Sequence, residues 1–179
     1  LQNKVPKILQ SDLSAAKWPK DPSHEWCPPG HGDIYISMLQ SGILDQLLSK
    51  GFKYALIANS DNLGATLDPQ VLGYFVKSRA PFMMEVCDRR PVDKKGGHLA
   101  ATKGGGLILR EAAQCPPNEE QDFQDIHKWK YFNSNNLWVD LTVLKALLDA
   151  NNNVIALPLI RNSKTIDPTD EKSPKGYQL

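Results

Sequence analysis

The sequence predicts an α/β protein with an open sheet, mostly parallel with some antiparallel members. Three observations point there. In the first half, helix-period segments alternate with short buried-strand patterns. In the second half, two strand patterns flank a glycine-rich turn, the mark of a hairpin. The chain has 179 residues, about one domain's worth, with 41% apolar and 23% charged residues, an ordinary globular balance.

The elements follow in order. Pro6, Pro19, Pro22, Pro28 and Pro29 argue against a long helix in residues 1–31. Asp33 can cap a helix running to about Lys50, with Ile34, Met38, Ile43, Leu44, Leu47 and Leu48 mostly on one face and Gly51 as its stop. Phe52–Ala58 reads as a buried strand, ended by the turn chemistry of Asn59-Ser60-Asp61-Asn62-Leu63-Gly64. Asp68-Pro69 caps a second helix over Gln70–Ser78. Pro81–Val86 reads as another buried strand. His98–Thr102 and Leu107–Glu111 are strands joined by Lys103-Gly104-Gly105-Gly106. Glu119–Lys128 reads as a short helix, Tyr131–Asn136 as a strand or extended loop, Leu141–Ala150 as a helix and Val154–Ile160 as a final buried strand. From Arg161 the chain turns polar. No internal repeat or low-complexity tract is visible.

Lys and Arg total 21 and Asp and Glu 20, so the formal charge is 21 − 20 = +1. That balance gives no electrostatic case for nucleic acid or an acidic membrane surface. No apolar run approaches the roughly 18 residues that cross a bilayer. The opening Leu1-Gln2-Asn3-Lys4 reads as neither signal nor transit peptide and lacks Met, so a trimmed or longer parent chain is expected. Cys27, Cys87 and Cys115 lie far apart, outside any zinc spacing, and read as reduced thiols of a cytoplasmic protein.

Several segments could carry chemistry. In Cys27-Pro28-Pro29-Gly30-His31-Gly32-Asp33 the prolines stiffen the chain and the glycines let backbone approach a ligand. The following helix start offers N–H groups to an anion, and His31 can donate to a phosphate or sugar hydroxyl. The alternative is a rigid turn with a surface histidine. Asn59-Ser60-Asp61-Asn62 follows a buried strand, where ligands of open α/β sheets bind. A carboxylate such as Asp61 can hold Mg²⁺ between phosphates, and Asn59 offers donor and acceptor to a sugar. An Asx-turn with a helix cap would explain the same residues without a ligand. Asp93-Lys94-Lys95-Gly96-Gly97 is a charged, glycine-rich turn that reads more as a solvated loop than as a site. Glu111 could accept from sugar hydroxyls or simply be exposed. Phe132-Asn133-Ser134-Asn135-Asn136-Leu137-Trp138 sets three amides within four residues between aromatics. Amides read sugar hydroxyls, and they also build turns. No Ser/His/Asp or Cys/His spacing points to a nucleophile.

Taken together, these segments resemble the UDP-glucose pyrophosphorylases (UTP–glucose-1-phosphate uridylyltransferases). The matching blocks stand in family order: Gln2 with Pro6-Lys7-Ile8, Trp26–Asp33, Asn59–Ala65, Met84-Glu85-Val86 with Asp88-Arg89, Lys95-Gly96-Gly97, Phe132–Trp138 and Pro158-Leu159-Ile160. The resemblance implies a glycosyltransferase-A-type nucleotidyltransferase domain, a Rossmann-like mixed sheet with flanking helices. It implies the reaction of UTP with glucose 1-phosphate to UDP-glucose and pyrophosphate, with Mg²⁺. The sugar phosphate attacks the α-phosphorus in line, so no protein nucleophile is required. By resemblance, Gln2 reads the uracil edge and Gly30 packs its backbone on the nucleotide. His31 contacts the sugar phosphate. Asn59 and Asp61 lie at the glucose and the Mg²⁺–phosphate cluster, with Asp61 as nucleotide and metal residue. Gly96, Glu111, Asn135 and Asn136 shape the sugar pocket.

The family's G-G-x-G-T-x-x-G nucleotide loop does not occur in this sequence, and neither do a match to its downstream lysine motif or a C-terminal β-helix domain. Residues 1–179 are therefore expected to be the central portion of a single catalytic domain, inactive alone. Two other readings compete. A UDP-N-acetylhexosamine pyrophosphorylase relative is disfavoured by Asn135-Asn136-Leu137-Trp138, which reads as in the glucose enzymes. A non-catalytic nucleotide-sugar-binding or sensor module would keep the fold without the phosphate loop.

Overall fold

A computed structural model describes residues 3–178. The chain forms two compact units, Leu1–Gln46 with Leu147–Leu179, and Leu47–Ala146. In chain order the elements are β1 (Val5–Pro6), β2 (Ile8–Leu9), β3 (Trp26–Cys27), α1 (Asp33–Gln40), α2 (Ile43–Ser49), β4 (Tyr54–Ile57), α3 (Pro69–Ser78) and β5 (Phe82–Asp88). There follow β6 (His98–Ala101), β7 (Leu107–Arg110), α4 (Glu120–Phe123), β8 (Tyr131–Asp140), α5 (Leu141–Ala150), β9 (Asn162–Thr165) and β10 (Lys175–Gln178). Helices and sheet together bear out the mixed α/β class.

In the first unit β1 pairs with β3, and β10 lies between β2 and β9, all antiparallel. Among the described residues the prolines keep 3–31 free of α-helix, as expected. The helix expected over 33–50 is two helices. Gly42 has φ +75°, and its N–H donates to Leu39 O, so the chain turns before α2 begins. Gly32, not Asp33, is the N-cap of α1; Asp33 is its first residue and accepts a hydrogen bond from Ser37 Oγ at 2.7 Å. Val154–Ile160 is not a strand: it pairs with nothing among the described residues, and Val154, Leu157 and Leu159 are exposed. Asn152 and Asn153 precede it at φ +53° and +62°, and Pro158 lacks a ladder donor. An apolar run becomes a strand only with a neighbour to pair with. Conversely, polar residues after Arg161 form β9 and β10, whose ladder runs from Lys175 opposite Thr165 to Gln178 opposite Asn162. Backbone pairing, not hydrophobic pattern, makes those strands.

The second unit holds a five-stranded sheet ordered β4-β8-β6-β7, with β5 on the other flank of β8. Every pairing is antiparallel, which corrects the mostly parallel expectation. Because β4 and β5 both run antiparallel to β8, they point the same way. They flank it like the strands of a βαβ unit, joined through α3, with β8 inserted between. The expected strand Tyr131–Asn136 is the first half of the ten-residue β8. α3 starts as the sequence predicts: Asp68 Oδ1 accepts from Gln70 N at 2.7 Å, with Pro69 first in the helix. It packs Phe75 against Tyr54 and Trp138, with ring centroids 5.6 and 6.3 Å away. The glycine-rich hairpin also forms: Thr102 N donates to Gly106 O, and Gly105 sits at φ +82°. The helix expected over Glu119–Lys128 shrinks to the four residues of α4. Asp125 Oδ1 instead accepts from His127 N and Lys128 N, an Asx-turn that competes with helix.

His98 is fully buried between Phe123 and Trp129, with ring centroids at 4.6 and 4.8 Å. Burial holds its imidazole below the ordinary histidine value, and the nearby Arg89 and Arg110 push the same way. This cluster clamps the start of β6 and with it the loop that precedes it.

Candidate functional site

β4 ends at Ile57 and delivers Asn59 into a turn closed by Asn62 N donating to Asn59 O. Asn62 does the capping here: its Oδ1 accepts from Gly64 N at 3.1 Å. The Asp61 carboxylate takes no part in these turn bonds and stands exposed. The Asx-turn therefore exists without Asp61.

Across the sheet end, β8 carries the asparagine block. Its register against β5 shifts: Leu137 lies opposite Met84, but Asn133 lies opposite Val86. Ser134, Asn135 and Asn136 thus face Glu85 alone, a bulge of the kind that re-aims side chains at sheet ends. Asn135 sits there at φ +59°, a conformation asparagine tolerates. Its N–H donates to Asn133 Oδ1 at 2.8 Å, and its side-chain Nδ2 reaches Asn59 Oδ1 at 2.9 Å. The structure therefore brings Asn59 and Asn135 together from residues 76 apart.

Asn136 is buried beneath them. Its Oδ1 accepts from Asn62 Nδ2 at 3.2 Å and its Nδ2 donates to Glu85 Oε2 at 3.0 Å. Trp138 Nε1 donates to Glu85 Oε1 at 2.6 Å, and Ser134 Oγ to the Glu85 carbonyl at 2.7 Å. Glu85 and Asn62 are linking residues that sequence reasoning did not single out. A charge inside the apolar run Pro81–Val86 was the available signal for Glu85.

The glycine loop stands in the same unit. Asn133 N donates to Gly97 O at 3.0 Å, joining that loop to β8. A Cβ on Gly96 would lie 2.1 Å from Phe132 Cε2, and one on Gly97 would lie 2.5 Å from Glu111 Oε1. The Phe132 ring closes Gly96 to any side chain, whereas a side chain at Gly97 would push the Glu111 carboxylate aside. Glu111 is half-buried against Gly97, and that burial pushes its carboxyl above the usual carboxylate range. The buried Arg89 holds the loop from behind: Nη2 donates to Lys94 O at 2.6 Å and Gly96 O at 3.3 Å, and Nη1 to Phe123 O at 2.8 Å. Arg89 too escaped sequence reasoning as a site residue.

In the other unit, Gly30 sits at φ +93°, open around its Cα, and His31 is exposed. Asp33 N and Ile34 N donate to Gly30 O and His31 O at 3.3 and 3.2 Å. Two N–H groups expected to await an anion are thus engaged by the turn. A Cβ on Gly32 would meet Leu157 Cδ1 at 2.7 Å, so a side chain there would have to turn the exposed Leu157 aside. Gln2 lies outside the described residues. Among the described residues no group of three or more His, Cys, Asp or Glu could hold a metal. Mg²⁺ bound with a nucleotide needs only one or two carboxylates beside phosphate oxygens, and the exposed, uncommitted Asp61 at the sheet end fits that demand.

Comparison with known proteins gives a consistent result. The family model for UTP–glucose-1-phosphate uridylyltransferase matches residues 1–174. The probable UTP–glucose-1-phosphate uridylyltransferase of Schizosaccharomyces pombe is 38% identical over 166 residues, 92% of this chain and 32% of its own. The Hordeum vulgare UTP–glucose-1-phosphate uridylyltransferase is 40% identical over 93% of this chain and 35% of its own. Among solved structures, a Trypanosoma brucei UDP-glucose phosphorylase superposes with TM-score 0.93 at 48% identity, over 99% of this chain and 40% of that one. A point mutant of Leishmania major UDP-glucose pyrophosphorylase in complex with UDP-glucose gives TM-score 0.87 at 48% identity, over 99% and 39%. The chain spans about a third of the length of the curated relatives it matches.

Proposed function

Because the chain belongs to the UTP–glucose-1-phosphate uridylyltransferase family, we propose that the intact protein converts UTP and glucose 1-phosphate into UDP-glucose and pyrophosphate. Residues 1–179 are read as the central portion of its nucleotidyltransferase catalytic domain and as inactive by themselves. The observation that carries the proposal is the Asn59–Asn135 contact, which the β5–β8 bulge makes just beyond the end of β4, where an open α/β sheet takes its ligand.

In the proposed reaction a phosphate oxygen of glucose 1-phosphate forms a bond to the α-phosphorus of UTP. The bond from that phosphorus to the bridging oxygen of the β-phosphate breaks, and pyrophosphate leaves. No side chain becomes covalently attached, so the protein's part is to position and to balance charge. The Asn135 amide and the Glu111 carboxyl are hydrogen-bonding groups suited to glucose hydroxyls. Gly96 leaves room for nothing but backbone beside Phe132, and Gly97 lets the Glu111 carboxylate lie against the loop. Asn136 shapes the pocket from beneath Asn135. His31 is assigned to the sugar phosphate, Gly30 to backbone packing on the nucleotide and Gln2 to the uracil edge. Mg²⁺, when bound, would supply neutralisation of phosphate charge, with Asp61 as its carboxylate. A cytoplasmic setting belongs to the same proposal and is supported by the free thiols of Cys27, Cys87 and Cys115. Among the described residues no helix is long and apolar enough to cross a membrane.

Titration calorimetry on the intact protein tests the substrate class. UDP-glucose is expected to bind at least roughly tenfold more tightly than UDP-N-acetylglucosamine, the discrimination a pocket shaped for the smaller sugar achieves. Preference for the acetylated sugar would favour the hexosamine reading, and no heat with either would refute the nucleotide-sugar site.

A further inference from the structure

We propose that Glu85 is a positioning residue for the sugar-facing amides: its carboxylate decides which way the Asn136 amide faces and holds the β8 bulge that presents Asn135 to Asn59. The inference rests on the proposed nucleotide-sugar site.

An ionised carboxylate only accepts, and an indole N–H only donates. Glu85 Oε1 takes the Trp138 N–H and Oε2 faces Asn136. Asn136 must therefore turn its NH₂ towards Glu85, which leaves its oxygen facing Asn62 Nδ2. The chain Trp138–Glu85–Asn136–Asn62 has one consistent set of directions, and the carboxylate sets it. The same residue takes the Ser134 hydroxyl on its backbone carbonyl, so the side chains of Ser134, Asn136 and Trp138 all end on Glu85. A bulge gives up ladder bonds, and these contacts replace them. Asn136 and Trp138 are 6% and 1% exposed, so their polar groups have no water to fall back on. Asn135, at φ +59° between these anchors, reaches Asn59 only while the bulge keeps its shape.

Glu85→Gln tests this without removing bulk. The Gln oxygen can keep Trp138, but its NH₂ then faces the Asn136 NH₂. Turning Asn136 over merely moves the donor clash to Asn62. Asn136→Asp instead sets two carboxylates against each other. The double variant Glu85→Gln with Asn136→Asp restores every direction: Trp138 to Gln oxygen, Gln NH₂ to Asp oxygen, and Asn62 to the other Asp oxygen.

In the intact protein, each single variant is expected to weaken UDP-glucose binding at least roughly tenfold, the effect of one buried unpaired group. KM for glucose 1-phosphate should rise while KM for UTP holds. The double variant should recover most of the affinity. Side-chain amide resonances of Asn135 should move in both single variants and return in the double. Unchanged affinity and amide resonances in Glu85→Gln would overturn the proposal. So would a double variant that recovers thermal stability but not binding, since Glu85 or Asn136 would then touch the sugar itself. If a single variant fails to fold, the double variant compared with the parent decides alone. Failure of the parent protein to bind UDP-glucose would count against the site reading, and the amide resonances would still judge the positioning role.

Discussion

Gly96→Ala is expected to cost the protein roughly 3 kcal/mol of stability, the upper end of what overpacking costs, or about 6–12 °C in a domain of this size. The added methyl would lie 2.1 Å from Phe132 Cε2 and 3.0 Å from Cζ, inside the ring's own van der Waals envelope. Phe132 has little freedom to retreat. Its backbone pairs with Cys87 on one side and His98 on the other, and His98 is locked between Phe123 and Trp129. Gly96 cannot retreat either, because Arg89 holds its carbonyl and that of Lys94. Phe132→Leu in the same chain shortens the ring edge and should recover most of the loss. Thermal unfolding of the two single variants and the double variant gives the coupling directly. A Gly96→Ala protein that melts with the parent would mean that the loop does not press on Phe132.

If Asp61 holds the ion as proposed, Asp61→Asn is expected to raise the Mg²⁺ concentration for half-maximal UDP-glucose formation by roughly tenfold or more, by replacing a hard anionic oxygen with a neutral amide. Folding should be nearly indifferent. Asn62, not Asp61, caps the turn, and the Asp61 carboxylate is exposed. Titrating Mg²⁺ at fixed UTP and following pyrophosphate separates the two roles. An unchanged Mg²⁺ dependence together with a lower melting temperature would make Asp61 a structural residue of the turn.

The sequence reports some features directly and others only through their partners. Asp68-Pro69 marks the start of α3 because capping and the proline ring act within a few residues. Gly51, at φ +86°, ends α2 for the same local reason. Strand direction is a non-local property. Phe52–Ala58 and Pro81–Val86 look like parallel neighbours, yet β8, more than 40 residues on, inserts between them. Val154–Ile160 has strand composition without a pairing partner, while Lys175–Gln178 has the partner without the composition. At the candidate site, Asn59 and Asn135 were legible as amides in turn-rich blocks, but their meeting depends on a bulge that no local pattern announces. Glu85 was visible as a charge in an apolar strand. What it does there follows only from the three donors that converge on it. Local pattern makes the Asp93–Gly97 turn look more like a solvated loop than a site, because the packing of Phe132 and Glu111 against its glycines is non-local.

The most direct test is to give the intact protein UTP and glucose 1-phosphate with Mg²⁺ and quantify both products. UDP-glucose and pyrophosphate formed in equal amounts is the predicted result. Binding of UDP-glucose with neither product formed would contradict the uridylyltransferase reading and leave a nucleotide-sugar sensor in its place.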